Sequence, residues 1–171
     1  MKNWLKVLLF CVTSLVFIGC DRITKDLAKE HLMFHEPISY LHNTVRLEYV
    51  ENTGAAMSLG DNLSKPVSFW LLSIFPLVFL VGLFVYTILN AKIFSPLRML
   101  ALSLIIAGGI GNIIDRLMFD RHVTDFMNVG ISSIRTGIFN VADMCVSAGV
   151  IVFLISSYKE KETELKAEQV G

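Results

Sequence analysis

The sequence predicts an all-α integral membrane protein: four transmembrane helices with a small extracytoplasmic β-rich cradle. Three observations carry this. The 171-residue chain is 54% hydrophobic and only 18% charged, with a mean hydropathy of +0.61. Its apolar residues come in long unbroken runs rather than with a helical or alternating period, as membrane spans require. Between the first two runs lies a different pattern, Val45-Arg46-Leu47-Glu48-Tyr49-Val50, which alternates like a short strand and ends in the turn signal Asn52-Thr53-Gly54. The expected organisation is a single membrane domain over 1–171. Its spans fall at about 4–23, 67–89, 97–118 and 139–158, its extracytoplasmic loops at 24–66 and 119–138, and its cytoplasmic tail at 159–171.

The first run, Trp4 to Gly19, follows Lys2 and overlaps Lys6, and reaches spanning length only if its helix continues to about Ile23. Its end, Phe17-Ile18-Gly19-Cys20, also looks like the cleavage motif of a lipoprotein signal peptide. A lipoprotein's mature part should be soluble, however, and three more apolar runs follow, so a retained helix is expected. Beyond it, Asp21 and Lys25 are four apart and can pair on a helix face, either as a site element or as an ordinary solvated helix end. The second run, Val67 to Leu89, carries no charge; Pro66 begins it and Pro76 is a candidate kink. It reads as scaffold.

The third run, Leu97 to Met118, ends in Ala107-Gly108-Gly109-Ile110-Gly111-Asn112-Ile113-Ile114-Asp115-Arg116. Ala107 and Gly111, four apart, suit close helix packing. Asn112, Asp115 and Arg116 are expected on one face. The fourth run, Phe139 to Tyr158, opens with Asn140 and Asp143, three apart. Asp143 suits either a helix cap or a functional acid; its apolar flanks favour the second. The loop between these runs is polar with β-like pieces and carries Asp125. Both Asp115 and Asp125 could approach Asp143, and spacing alone does not choose between them. Asn52 reads equally as a turn residue or as an amide offered to a bound backbone. The charged tail, Lys159 to Gly171, is expected to be disordered or a loose helix.

Charge bounds the function. With 15 basic and 15 acidic residues the formal net charge is zero, which gives no footprint for nucleic acid. Cys11, Cys20 and Cys145 lie in apolar runs as expected buried thiols, and the four histidines form no ligand pattern, so neither a metal nor a cofactor is expected. Four spans put both termini on one side. The short, basic, acid-free link around Lys92 and Arg98 favours the cytoplasm for them. The polar clusters then converge at the outer membrane face.

Five of these clusters, in order, resemble the prolipoprotein signal peptidases (signal peptidase II): Asp21-x-x-Thr24-Lys25; Asn52-Thr53-Gly54-Ala55-Ala56; Gly108-Gly109-x-Gly111-Asn112-x-x-Asp115-Arg116; Val123-x-Asp125-Phe126; and Phe139-Asn140-x-Ala142-Asp143. The resemblance spans Asp21 to Gly149. It implies a bacterial inner-membrane aspartyl peptidase, without metal or cofactor, that cuts prolipoproteins just before a diacylglyceryl-modified cysteine. It also implies that Asp125 and Asp143 are the catalytic pair. Asn52, Gly54, Asn112, Arg116 and Asn140 would line or shape the substrate site, Asp115 would be a supporting acid, and Asp21 and Lys25 would brace the first helix. Glu51 departs from the family's pattern, which often has a basic or neutral residue there. The implied partners are lipid-modified prolipoproteins and membrane lipids, with a monomer expected. Two other classes compete: a small transporter or channel with acids on an ion path, and a lipoprotein or assembly factor anchored through Cys20.

Overall fold

The computed structural model describes residues 2–54, 60 and 63–170, without the side chains of Glu164 and 167–170. Helix α1 runs over Asn3–Leu32. Strands β1 (Ile38–Tyr40) and β2 (Val45–Asn52) follow. The second span is α2 (Lys65–Phe69), a π-turn (Trp70–Ile74) and α3 (Phe75–Leu89). Then come α4 (Pro96–Met118), β3 (Val123–Ile131), β4 (Ile134–Arg135) and α5 (Val141–Val170). Four helical stretches are long and apolar enough to cross a membrane: Asn3–Leu32, Lys65–Leu89, Pro96–Met118 and Val141–Thr163.

Three features of the helices have clear physical causes. α1 continues to Leu32 because Asp21, Lys25, Ala28 and Leu32, spaced at helical intervals, are all buried. Ala28 and Leu32 pack with Phe126 beneath the sheet. The tail is helical to Val170, supported by ion pairs such as Lys166 Nζ to Glu162 Oε1 (2.6 Å). At Pro76 the chain uses a π-turn ahead of the proline, closed by Phe75 N donating to Trp70 O five residues back. The wider turn makes room for a residue that lacks the N–H and crowds the preceding turn.

The sheet has the order β1-β2-β3-β4, all antiparallel. Its central pair joins strands from two different loops: Val50 lies opposite Asp125 and Asn52 opposite Val123, with a bulge between Leu47 and Val50. The pairing thus brings the Asn52 turn to Asp125.

α4 is the central helix, and small residues set its distance from α5. A Cβ on Gly108 would sit 2.2 Å from Ala142 O, and one on Gly111 2.6 Å from Asp21 Oδ2. Ala107, the expected partner of Gly111, is buried as well, and Gly108 adds a close approach of its own. Of the cysteines only Cys145 is buried; Cys20 is exposed on the surface of α1, contrary to expectation. The helix passes unbroken through the lipoprotein-like segment.

Candidate active site

The ends of α1, α4 and α5 meet under the sheet around a cluster of charges with almost no access to solvent. Lys25 is 0% exposed. Its ammonium has three protons and three acceptors: Asp21 Oδ2 at 2.8 Å, Asp115 Oδ2 at 3.0 Å and Asn112 Oδ1 at 2.9 Å. Burying an ammonium is tolerable only with such complete pairing. The remaining oxygens are also used. Asp21 Oδ1 accepts from Ala142 N (2.8 Å), pinning the first turn of α5 to α1. Asp115 Oδ1 accepts from Arg22 Nη1 (2.7 Å), and its Oδ2 also accepts from Thr124 N (3.1 Å) on β3.

Lys25 also decides how Asn112 lies. An ammonium only donates, so it must face the amide oxygen, and the amide NH2 must point away. That NH2 donates to Asp143 Oδ1 at 2.8 Å. Asn52 is fixed by the same reasoning. Gly54 N donates to its Oδ1 (2.9 Å), closing an Asx-turn, and its Nδ2 donates to Asp125 Oδ2 at 3.1 Å. Asn52 is therefore a turn residue whose amide nitrogen rests on a carboxylate. Arg116 holds the same turn, donating from Nη2 to Gly54 O at 2.8 Å.

Asn140 joins the two carboxylates. Its Nδ2 donates to Asp125 Oδ1 (2.6 Å). Its Oδ1 accepts from Asp143 N (3.0 Å), and its own N–H donates to Asp143 Oδ2 (3.1 Å). This reciprocal pair is a capping box at the start of α5. Asp143 therefore does cap the helix, and only its Oδ1 is turned to Asn112.

The result is a cavity of about 600 Å³ whose lining includes Asp125, Asp143, Asn52, Asn112 and Arg116, together with apolar Phe139, Met144 and Val146. This size and mix suit an extended, largely apolar ligand. Asp115 does not line it: one turn of helix carries Asn112 and Arg116 to the cavity and swings Asp115 toward α1, so the expected shared face splits. Asp125 has its pKa raised to about 6, first by burial and then by the Asp143 charge, against the hydrogen bonds from Asn52 and Asn140 and the Lys25 charge. Glu51 accepts from the Tyr49 hydroxyl (2.8 Å); burial and that bond push Tyr49 up to about 12. Ala55 and Ala56 lie outside the described residues. Among the described residues, no three His, Cys, Asp or Glu side chains converge as metal ligands.

Besides the apolar lining, two participants in the polar network were not among the expected site residues. Arg22 pairs with Asp26 four residues on (2.5 Å) and so reads as solvated, yet its other amine reaches Asp115. Thr124 enters through its backbone: its N–H binds Asp115 and its C=O accepts from Asn140 Nδ2 (3.3 Å). No side-chain pattern announces a backbone contact.

Comparison with known proteins points to one family and gives no support to a transporter. The family model "Signal peptidase (SPase) II" matches residues 13–159. The chain is 34% identical over 165 residues to a lipoprotein signal peptidase of Borrelia duttonii, covering 90% of this chain and 95% of that one. It is 31% identical over 158 residues to the lipoprotein signal peptidase of Streptococcus pyogenes serotype M1, covering 92% and 98%. Its fold is similar to that of a bacterial membrane enzyme solved by the in meso method at 2.3 Å resolution, with a TM-score of 0.74, 25% identity and 90% coverage of both chains. With the matched region running from the first helix to the last, this chain is a multi-pass bacterial membrane protein and belongs to the signal peptidase II family.

Proposed function

We propose that this protein is an aspartyl endopeptidase that removes signal peptides from prolipoproteins, cutting just before a cysteine that already carries diacylglycerol. The observation that carries the reading is the pair Asp125 and Asp143, both lining one cavity and both oriented by Asn140, while Asp115 turns away into an ion cluster.

The chemistry follows from the pair. Two neighbouring carboxylates do not both ionise cheaply, so between them they hold one proton, shared as a property of the dyad. The ionised member takes a proton from water as the water oxygen adds to the scissile carbonyl carbon. The protonated member donates to the carbonyl oxygen. When the tetrahedral intermediate collapses, the C–N bond breaks, the nitrogen takes up a proton and the new carboxyl group stays on the signal peptide. Asn52, Asn112 and Asn140 hold the carboxylates with neutral donors. The Arg116 guanidinium fixes the wall at Gly54 and places positive charge at the cavity. The apolar lining suits the residues before the cysteine, and the lipid chains stay in the bilayer.

The membrane orientation belongs to the same proposal. The cavity lies at the outer face and both termini are cytoplasmic, with the basic link of Lys92 and Arg98 at the opposite end. A monomeric enzyme is part of the same reading.

The deciding test is cleavage of a diacylglyceryl-modified precursor by purified protein. Wild type should cut before the modified cysteine, and Asp125→Asn and Asp143→Asn should each lose about 10³-fold or more in kcat. Retention of activity by either variant would break the dyad assignment. Asp115→Asn keeps an acceptor for Thr124 N, so it is expected to act mainly through stability and to retain most of the turnover.

A further inference from the structure

The ion cluster beside the cavity contains an imbalance that Lys25 alone does not resolve. Asp21 and Asp115 are 2% and 1% exposed, and Lys25 bridges both. One buried cation faces two buried carboxylates. The second cation is Arg22, whose Nη1 reaches Asp115 Oδ1 at 2.7 Å while its side chain remains 27% exposed. Its guanidinium also lies 5.2 Å from the centroid of the Phe119 ring, which holds it against the end of α4. Asp115 in turn accepts from Thr124 N, whose carbonyl accepts from Asn140 Nδ2. The next residue on β3 is Asp125.

We infer that Arg22 is a positioning residue for the reaction: its charge completes the neutralisation of the buried Asp21–Lys25–Asp115 cluster and so holds the strand bearing Asp125 against Asn140. The inference rests on the reading of Asp125 and Asp143 as the catalytic pair. Arg22 touches neither carboxylate and no substrate. It acts through Asp115 and the Thr124 backbone, a path made of hydrogen bonds between rigid elements. It is a charge effect as well as a geometric one. The charged groups that face Asp125 are Lys25 from α1, Arg116 from α4 and Asp143 from α5. Without Arg22, the Asp115 carboxylate adds uncompensated negative potential to that set and makes Asp125 harder to ionise.

The test measures kcat and KM across pH, on the lipid-modified precursor, for wild type, Arg22→Gln, Arg22→Lys, Asp26→Ala and the double variant Arg22→Gln/Asp115→Asn, with thermal unfolding in detergent alongside. Arg22→Gln should lower kcat about tenfold with KM within about twofold, and should move the acid limb of the profile up by about half a pH unit. Arg22→Lys keeps the charge and should recover most of kcat. Asp26→Ala, which removes only the exposed partner of Arg22, should behave as wild type. In the double variant the amide oxygen at position 115 still accepts from Thr124 N but carries no charge to neutralise, so kcat and the acid limb should return toward wild type. If Arg22→Gln does not fold, a folded and active double variant still supports the inference. It is overturned if Arg22→Gln keeps wild-type kcat and pH profile, if Arg22→Lys falls as far as Arg22→Gln, or if Asp115→Asn gives no rescue. Asp125→Asn runs as a control for the underlying reading: cleavage by that variant would sink the dyad itself, whereas an inactive Asp125→Asn beside an indifferent Arg22→Gln would sink only the role of Arg22.

Discussion

Polar groups gather at both ends of the helical bundle, on different terms. At the cavity end Asp21, Lys25, Asp115 and Asn140 are all within 2% of full burial, and each has its partners assigned. At the opposite end Arg98 and Glu160 meet at 2.5 Å with side chains 23% and 32% exposed. There Lys6 reaches across to Phe94 O at 2.7 Å and Ala91 O at 3.2 Å, a cation on the carbonyls after α3. The ion pair at the second end keeps part of its access to water, so losing a partner there costs less. Groups at the first end have no such alternative, and removing one strands the rest. Completeness of pairing distinguishes a network that specifies geometry from a latch that merely fastens.

Four experiments can break or sharpen that contrast. Lys25→Met leaves two buried carboxylates without their shared cation and should destabilise the protein by about 3–5 kcal/mol, read by thermal unfolding in detergent; a smaller loss than at Arg98 would invert the comparison. Gly108→Val places a side chain where even a Cβ would fall 2.2 Å from Ala142 O. It should cost about 1–3 kcal/mol and pull Asp143 away from Asn112, lowering kcat more than it raises KM. Asn52→Leu removes a donor that lowers the pKa of Asp125. Its kcat should fall about tenfold and the acid limb should move to higher pH, with a loss of about 1 kcal/mol as Gly54 N loses its acceptor. Arg98→Met should cost no more than about 1 kcal/mol and leave cleavage intact.

Asp125 also predicts a pH signature confined to the cavity end. Its folded pKa, about 6, stands above the ordinary 3.8. The folded protein therefore holds this proton more tightly than the unfolded chain, and the stabilising contribution is fully present below about 3.8. It is lost as pH rises through about 6. Melting curves of wild type and Asp125→Asn should diverge across that window, wild type losing stability relative to the variant as pH rises. Parallel curves would show that Asp125 titrates as it does in the unfolded chain.

Much of this was legible in the sequence because membranes leave few choices. Unbroken apolar runs marked the four helices, and polar clusters beside them marked one end of the bundle. The extra turns of α1 were masked: Lys25, Ala28 and Leu32 keep to one buried helical face, but the charged residues between them read as a solvated helix end. The choice between Asp115 and Asp125 was not legible either. It depends on β2 pairing with β3 across two loops and on a small rotation of α4, neither of which local spacing encodes. Arg22 was hidden because its neighbour in sequence, Asp26, offers a plausible surface pair. Thr124 was hidden because any residue supplies the same C=O, and any but proline the same N–H. Asp143 shows the opposite hazard, since the cap and the candidate catalyst are one carboxylate.

The long sequence separation of these contacts bears on how the protein is made. Arg22 lies 93 residues before its partner Asp115, and Asp21 lies 121 before Ala142. When α1 enters the bilayer during translation, its charged end therefore waits at the aqueous margin for three further helices to be threaded. β2 likewise waits for β3. The cavity closes only when the first turn of α5 docks on Asp21, so a nascent chain stays inert until its final helix arrives.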